Sequence, residues 1–98
     1  MLENRAQFSL EEGKTEAEAE VFQKDKNITW LHGTSDNPEA MADIVITDKM
    51  GNPQYTKKDV KFIHSRFGER IDLQLNDNQC IIKLENVRNA KKLDIFVE

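Results

Sequence analysis

The chain has 98 residues, of which 33% are charged, and a formal net charge of −4, so it offers one domain with a modest core. The acidic balance argues against a nucleic-acid-binding protein, because such proteins usually carry a basic surface. No apolar run approaches the roughly 20 residues of a membrane span, and the first residues lack the apolar segment of a signal peptide. We therefore expect a single domain over residues 1–98 that contacts neither membranes nor nucleic acids.

Cys80 is the only cysteine, so the chain cannot form an intrachain disulfide bond. A small extracellular domain would usually contain such a bond, which favours a reducing compartment. We expect a cytoplasmic location, with a virion or a bacterial setting as the alternative. Cys80 alternates in phase with Ile82 and Leu84, which predicts a buried, reduced thiol rather than a reactive one.

The first part of the chain predicts short strands joined by turn residues. Phe8 and Leu10 alternate with polar neighbours and indicate a strand over residues 6–10. In residues 15–22, alanine and glutamate favour a helix by propensity, whereas their strict alternation favours a strand. We predict a strand, because the run is short and its neighbours resemble strands. Its alanines then face the core and its glutamates face the solvent.

The next two runs also predict strands. Residues 28–32 are rich in β-forming residues and place Ile28 and Trp30 on one face, so we expect Trp30 to lie in the core between two sheets. The segment D-I-V-I-T-D, within residues 41–50, predicts a further strand with its isoleucines on one side.

Residues 56–68 are compatible with a short helix or with an irregular strand. A helix is favoured by a start that resembles a capping box and by the spacing of Val60 and Ile63. A strand would place Val60 and Phe62 on one face and leave Ile63 unexplained. We therefore keep both possibilities, with any short helix expected near residues 57–67.

Residues 65–87 predict a β-hairpin. Residues 71–75 and 80–87 both alternate apolar and polar side chains, and the Asn-Asp-Asn sequence between them favours a tight turn. A last strand follows at residues 93–97. Many short strands separated by turn residues predict an all-β, antiparallel sandwich or barrel.

Four segments resemble an immunoglobulin-superfamily domain of the I-set type. F-S-L-E-E-G-K-T is similar to the first strand and its turn, and A-E-A-E-V-F-Q with N-I-T-W-L-H-G is similar to strands B and C. Trp30 takes the place of the core tryptophan. Residues 71–87 resemble strands D and E, and the last run resembles strand F. The resemblance implies an immunoglobulin-like β-sandwich.

The likeness is greatest to intracellular domains of muscle and cytoskeletal proteins, such as the titin and myosin-binding protein families, which often lack the disulfide. Ala19 and Val97 stand near the positions of the family's two cysteines, and no strand G follows the last run. The resemblance implies a non-catalytic protein-protein interaction or scaffold module of a larger intracellular structural assembly. A β-sandwich structural subunit of a virus, phage or bacterial appendage is the alternative.

No motif in the chain predicts catalysis, a cofactor or a metal site. His32 and His64 are the only histidines, and no cluster of Cys, His and Asp has the spacing of metal ligands. The glycines match no phosphate-binding pattern. We therefore expect no enzymatic activity, no cofactor and no small-molecule substrate.

Two sets of residues are candidates for binding other protein chains. The last strand would lack a neighbour, so its edge could pair with a partner peptide or a second copy, unless residues 6–10 cover it. A basic stretch beside two phenylalanines could contact an acidic partner. The candidate residues are Leu93, Ile95, Phe96 and Val97 on the strand, and Lys57, Lys58, Lys61, Arg66 and Arg70 in the basic stretch.

Overall fold

Alternating apolar residues give the chain its strands, as the period of two along a β-strand requires. A computed structural model describes residues 4–98, and within them it contains eight strands. These are β1 (Arg5–Ser9), β2 (Ala17–Phe22), β3 (Asn27–Ser35), β4 (Met41–Asp48), β5 (Pro53–Lys61), β6 (Arg66–Gln74), β7 (Gln79–Arg88) and β8 (Lys92–Val97).

The strands form two antiparallel sheets that face each other. Sheet A has the order β1-β8-β3-β6, and sheet B has the order β2-β7-β4-β5. The predicted all-β antiparallel sandwich is therefore confirmed. This strand order is that of an eight-stranded jelly roll. It differs from the order implied by the immunoglobulin resemblance, in which strands A, B, E and D form one sheet and C, F and G the other.

The predicted hairpin over residues 65–87 is wrong, although both of its strands form. β6 lies beside β3 in sheet A, whereas β7 lies between β2 and β4 in sheet B. The connection between them crosses from one sheet to the other. The N–H of Leu75 donates to the carbonyl of Lys26 at 2.7 Å, and the side-chain amide of Asn78 donates to the carbonyls of Gln23 and Lys24. These bonds hold the crossing segment against the turn between β2 and β3.

The expectation that the last strand forms an open edge is also wrong. β8 pairs with β1 on one side and with β3 on the other, and Ile95 lies opposite both Ala6 and Gly33. The alternative, in which the N-terminal strand covers this edge, is confirmed. The edges of sheet A are β1 and β6, and those of sheet B are β2 and β5.

The segment after β4 is a strand followed by one short turn. β5 runs to Lys61, and Val60 and Phe62 are both buried, as the strand interpretation predicts. Only Ile63–Ser65 forms a 3-10 helix, and Ile63 is 64% exposed there. The irregular strand is therefore confirmed up to Lys61, and the short helical turn expected near residues 57–67 forms at Ile63–Ser65.

The core lies between the sheets. A Cβ atom built on Gly33 would lie 2.7 Å from the ring of Phe62, so this position in β3 requires glycine. Cys80 is fully buried, and desolvation raises the pKa of its thiol to about 11, so it is a core residue as predicted. The fully buried large side chains are Val21, Ile28, Leu31, Ile44, Ile46, Val60, Phe62, Ile82, Leu84, Leu93, Ile95 and Val97.

Candidate functional site

A β-bulge in β3 turns Trp30 away from the core. The N–H groups of Thr29 and Trp30 both donate to the carbonyl of Glu98, at 2.7 and 3.0 Å, so two residues of β3 face one residue of the neighbouring chain segment. Ile28 and Leu31 are both fully buried, and Trp30 between them is 38% exposed. The prediction that Trp30 lies in the core is wrong for this reason, because the bulge shifts the alternation by one residue.

Trp30 belongs to a row of aromatic rings on the outer face of sheet A. The ring of His32 stacks on that of Phe96 with a centroid distance of 4.7 Å and an interplanar angle of 16°. The Trp30 ring lies nearly parallel to the His32 ring, 5.9 Å away. His32 Nε2 lies 2.6 Å from a carboxylate oxygen of Glu98, which fixes the orientation of the imidazole.

A notch lies beside this row because β6 has a glycine there. Gly68 pairs with His32, and a Cβ atom built on it would contact only the His32 ring, at 3.4 Å or more. A shallow depression of about 270 Å³ lies on the other side of His32 along β3, toward Thr34. Its lining residues are His32, Gly33, Thr34, Arg66, Phe67 and Phe96.

Two arginines flank the notch on β6. Arg70 pairs with Trp30 and Arg66 pairs with Thr34, so their exposed side chains lie on either side of Gly68. The guanidinium of Arg70 contacts Asp72 at 2.9 Å. Within residues 4–98, the guanidinium of Arg66 has neither a hydrogen bond nor an ion pair.

The opposite side of the aromatic row is acidic. Asp94 and Glu98 flank Phe96, with Asp94 opposite Thr34 and Phe96 opposite His32. Asp94 forms an exposed ion pair with Arg5 of β1 at 2.6 Å. The outer face of sheet A therefore has three columns. The first column has Asp94 and Phe96 on β8 and Glu98, the residue after that strand. The second has Thr34, His32 and Trp30 on β3, and the third has Arg66, Gly68 and Arg70 on β6.

Lys57, in the lysine part of the basic stretch, points toward the inside of the sandwich, unlike Arg66 and Arg70. Lys57 lies on the inner face of β5 and forms an ion pair with Glu69 of β6 at 2.8 Å. The hydroxyl of Tyr55 donates to the same carboxylate at 2.8 Å. Hydrogen bonds from Lys57 and Tyr55 lower the pKa of Glu69, and burial followed by the bond to Glu69 raises the pKa of Tyr55. This cluster closes the sandwich between the edges of β5 and β6.

The predicted partner-binding residues therefore separate into four groups. Phe96, Arg66 and Arg70 come together on the outer face of sheet A. The exposed lysines Lys58 and Lys61 lie on β5, in the other sheet. Lys57 is paired across the sheets. The remaining three, Leu93, Ile95 and Val97, are buried in the core.

Sheet B contains a buried carboxylate, Asp43, whose hydrogen-bond donors all belong to neighbouring strands. Asp43 is 7% exposed and accepts hydrogen bonds from the Asp59 N–H and the Asn86 side-chain amide, both at 2.8 Å. These two bonds lower its pKa. Asp59 and Asn86 have φ angles of 55° and 49° and sit at register shifts of β5 and β7. Asp43 thus joins two bulges, and none of its geometry indicates a ligand.

Sequence reasoning missed Trp30 and Gly68 as parts of an exposed surface, and it predicted His32 as a surface or strand-end histidine without its aromatic neighbours. One signal was present, because Trp30 and Leu31 are adjacent large apolar residues and only one of them can face the core of a regular strand. Gly68 and His32 gave no signal, since their proximity depends on the pairing of β3 with β6.

In residues 4–98, no group of three or more His, Cys, Asp or Glu side chains is placed to hold a metal ion. No helix of this part of the chain is long and apolar enough to cross a membrane. No protein-family model matches the sequence, and no curated protein matches it significantly.

Proposed function

We propose that the protein is a non-catalytic interaction module of a larger intracellular structural assembly, and that it binds other protein chains through the outer face of sheet A. The observation that carries the proposal is the exposed Trp30, which lies next to His32 and Arg70 on the same face as Phe96 and Arg66. Tryptophan and arginine are the residues most enriched at the energetic centres of protein interfaces, where they pack against a partner and exclude water.

The strand edges offer less to a partner than this face does. Glu69 of β6 and Lys57 of β5 point inward at the two edges on one side of the sandwich, and inward charges are a device that prevents a further strand from adding. On the other side, β1 has only five residues and β2 carries exposed glutamates. We therefore place the contact on the face of sheet A rather than on an edge. A cytoplasmic location remains part of the proposal, supported by the single, buried thiol of Cys80.

The test is site-specific photo-crosslinking in an extract of the source cells. A photoreactive phenylalanine replaces Thr34 on sheet A, or Lys83 on the outer face of sheet B as a matched control. We expect crosslinked protein at position 34 that disappears when Trp30→Ala is added, and none that depends on Trp30 at position 83. Equal crosslinking from both faces, unchanged by Trp30→Ala, would contradict the proposal.

A second candidate function is a structural subunit of a virus, phage or bacterial appendage. The observation that favours it is the strand order, because eight-stranded jelly rolls recur in viral capsid proteins. Electron microscopy of the concentrated protein tests it. Regular shells or fibres would support this candidate, whereas particles of one or two chains would count against it.

A further inference from the structure

The three columns on the outer face of sheet A are complementary to themselves. Along β8 and the residue that follows it, the outward side chains are acidic, aromatic and acidic, with Asp94, Phe96 and Glu98. Along β6, Arg66, Gly68 and Arg70 lie at the same three levels, because they pair with Thr34, His32 and Trp30 of β3. Thr34 and His32 also pair with Asp94 and Phe96, and the backbone of Trp30 exchanges hydrogen bonds with that of Glu98. The central column, on β3, carries His32 and Trp30.

A twofold axis that lies between two such faces and runs parallel to the strands places β8 of one copy over β6 of the other. Asp94 then meets the partner copy's Arg66, and Glu98 meets the partner copy's Arg70. At the middle level, the ring of Phe96 stands over the notch at the partner copy's Gly68. The same contacts form twice, as in every twofold interface between identical chains.

The other in-plane orientation is excluded by charge. A twofold axis that runs across the strands places β8 over β8 and β6 over β6. Asp94 would then meet Glu98, and Arg66 would meet Arg70, so that like charges face each other at four places. Juxtaposed like charges oppose binding strongly, which leaves the axis parallel to the strands as the complementary arrangement.

The ion pairs within one chain do not prevent this contact. Arg5 with Asp94, His32 with Glu98 and Arg70 with Asp72 are exposed or half-exposed contacts, with 26% to 61% of their side chains accessible, and such contacts add little stability. The two carboxylates can therefore turn toward a new partner at small cost. Arg66 has no partner to give up among residues 4–98.

The size of the face indicates a weak dimer. Strands about 4.8 Å apart and of the lengths seen in sheet A give a flat area of roughly 400 Å² per copy. Allowing for the relief of the side chains, the total buried surface is about 1,000 Å², at the low end of specific interfaces.

We propose that the outer face of sheet A binds a second copy of this chain, face to face, with Phe96 seated at the partner copy's Gly68 between two acid-arginine pairs. This inference rests on the proposed function, because it takes the same face as the contact surface and names its occupant.

The first test is a charge exchange measured by sedimentation equilibrium from about 1 to 500 μM protein, the range that an interface of this size calls for. One variant carries Arg66→Glu and Arg70→Glu, and the other carries Asp94→Lys and Glu98→Lys. We expect the wild-type protein to dimerise and each variant to be at least about tenfold weaker alone. An equimolar mixture of the two variants should dimerise again, because each acidic column then meets a basic one.

The mixture of the two variants distinguishes a weakened interface from an unfolded protein, because an unfolded variant would not regain dimerisation when its counterpart is added. Lys58→Glu with Lys61→Glu, two exposed lysines of sheet B, is the matched control and should dimerise like the wild type. A monomeric wild-type protein throughout this range, or a mixture no stronger than the separate variants, would overturn the proposal.

The second test fills the notch. Gly68→Ala adds a methyl group where only the His32 ring is near, so the fold tolerates it, and alanine in a strand avoids the entropy cost of glycine. We expect a thermal midpoint at least as high as that of the wild type, together with dimerisation weakened about tenfold or more, since Phe96 loses its seat. Unchanged dimerisation would overturn the placement of Phe96.

The two proposals fail in different ways. If the wild-type protein is a monomer but crosslinks through position 34 to a different protein, the face is a docking surface and only its occupant is wrong. If neither a second copy nor any other protein crosslinks through position 34, the proposed function fails as well.

Discussion

In sheet A, the bulge at Thr29 and Trp30 leaves an indole ring exposed on the outer face, whereas in sheet B two bulges close around the carboxylate of Asp43. Each of these three bulges inserts an extra residue into a strand pairing. In sheet B, the N–H of Asp59 and the side-chain amide of Asn86 both donate to the carboxylate of Asp43, which therefore has its partners within the protein. In sheet A, the backbone groups are paired, but the side chain that the bulge reorients has about a third of its surface in water.

The bulges of sheet B stabilise the folded state, whereas the bulge of sheet A exposes a side chain that can contact a partner. Asp43 has protein donors for its carboxylate, so its removal should harm the folded state. The Trp30 side chain lies outside the core, so its removal should lower the stability of the folded state only slightly. The same change should weaken partner binding strongly. Substitutions in the two regions should therefore differ in how much they lower the free energy of unfolding.

The largest effect is expected at the buried residue next to the bulge of sheet A. Leu31→Ala removes a fully buried side chain and should lower the free energy of unfolding by about 2–5 kcal/mol. Urea denaturation followed by circular dichroism measures it. A loss no larger than that of Trp30→Ala would contradict the phase shift that the bulge introduces.

Asp43→Ala should rank between Leu31→Ala and Trp30→Ala. The variant leaves the Asp59 N–H and the Asn86 amide without their acceptor, and both donors lie at bulges. Because the pKa of Asp43 is lowered in the folded protein, its carboxylate stabilises the fold above the ordinary pKa of aspartate and loses this effect as pH falls below it.

The difference in stability between the wild type and Asp43→Ala should therefore be constant near neutral pH and shrink below about pH 4. Denaturation curves at several pH values measure this difference. Asp25→Ala, at an exposed turn position, is the control and should leave the curves unchanged. A difference that grows as the pH falls would contradict the assignment.

A smaller effect is expected from the left-handed backbone conformation of Asn86, at the bulge in β7. Asn86 has a φ angle of 49°, which asparagine and glycine adopt more readily than alanine. Asn86→Ala and Asn86→Gly both lose the hydrogen bond to Asp43, but only alanine adds backbone strain. We expect Asn86→Ala to be less stable than Asn86→Gly by about 1 kcal/mol. Equal stabilities in thermal denaturation would argue against a left-handed bulge here.

The smallest effect on stability is expected for Trp30→Ala. Because the ring lies outside the core, we expect a loss of about 1 kcal/mol or less, rather than the 3–5 kcal/mol typical of a buried tryptophan. Dimerisation and crosslinking through sheet A should decrease together in the same variant. Phe22→Ala, a comparably exposed ring on sheet B at 39%, is the control and should affect neither.

The strands could be predicted from the sequence, but their partners could not. Alternation located β2 and β7 correctly, and in β2 it correctly outweighed the helix propensity of alanine and glutamate. Alternation is the same whether a strand pairs with its neighbour in sequence or crosses to the other sheet. The pairing of β6 with β3, which brings Gly68 beside His32, is therefore not visible in the pattern.

The candidate site depends on two features that periodicity cannot express. A bulge breaks the period at Thr29, so the phase inferred from Ile28 gave the wrong side for Trp30. The basic stretch was visible as composition, but Lys57 points between the sheets toward Glu69 while Arg66 and Arg70 point outward. Only the register of β5 and β6 separates these residues.

The most direct test of the central claim uses the fluorescence of Trp30, the only tryptophan in the chain. In dilute folded protein, we expect emission typical of an indole in contact with water and efficient quenching by acrylamide. Phe96→Ala should increase the quenching, since it removes the ring that supports His32. Emission of a buried indole, resistant to acrylamide until the protein unfolds, would place Trp30 in the core and contradict the assignment of sheet A as the binding face.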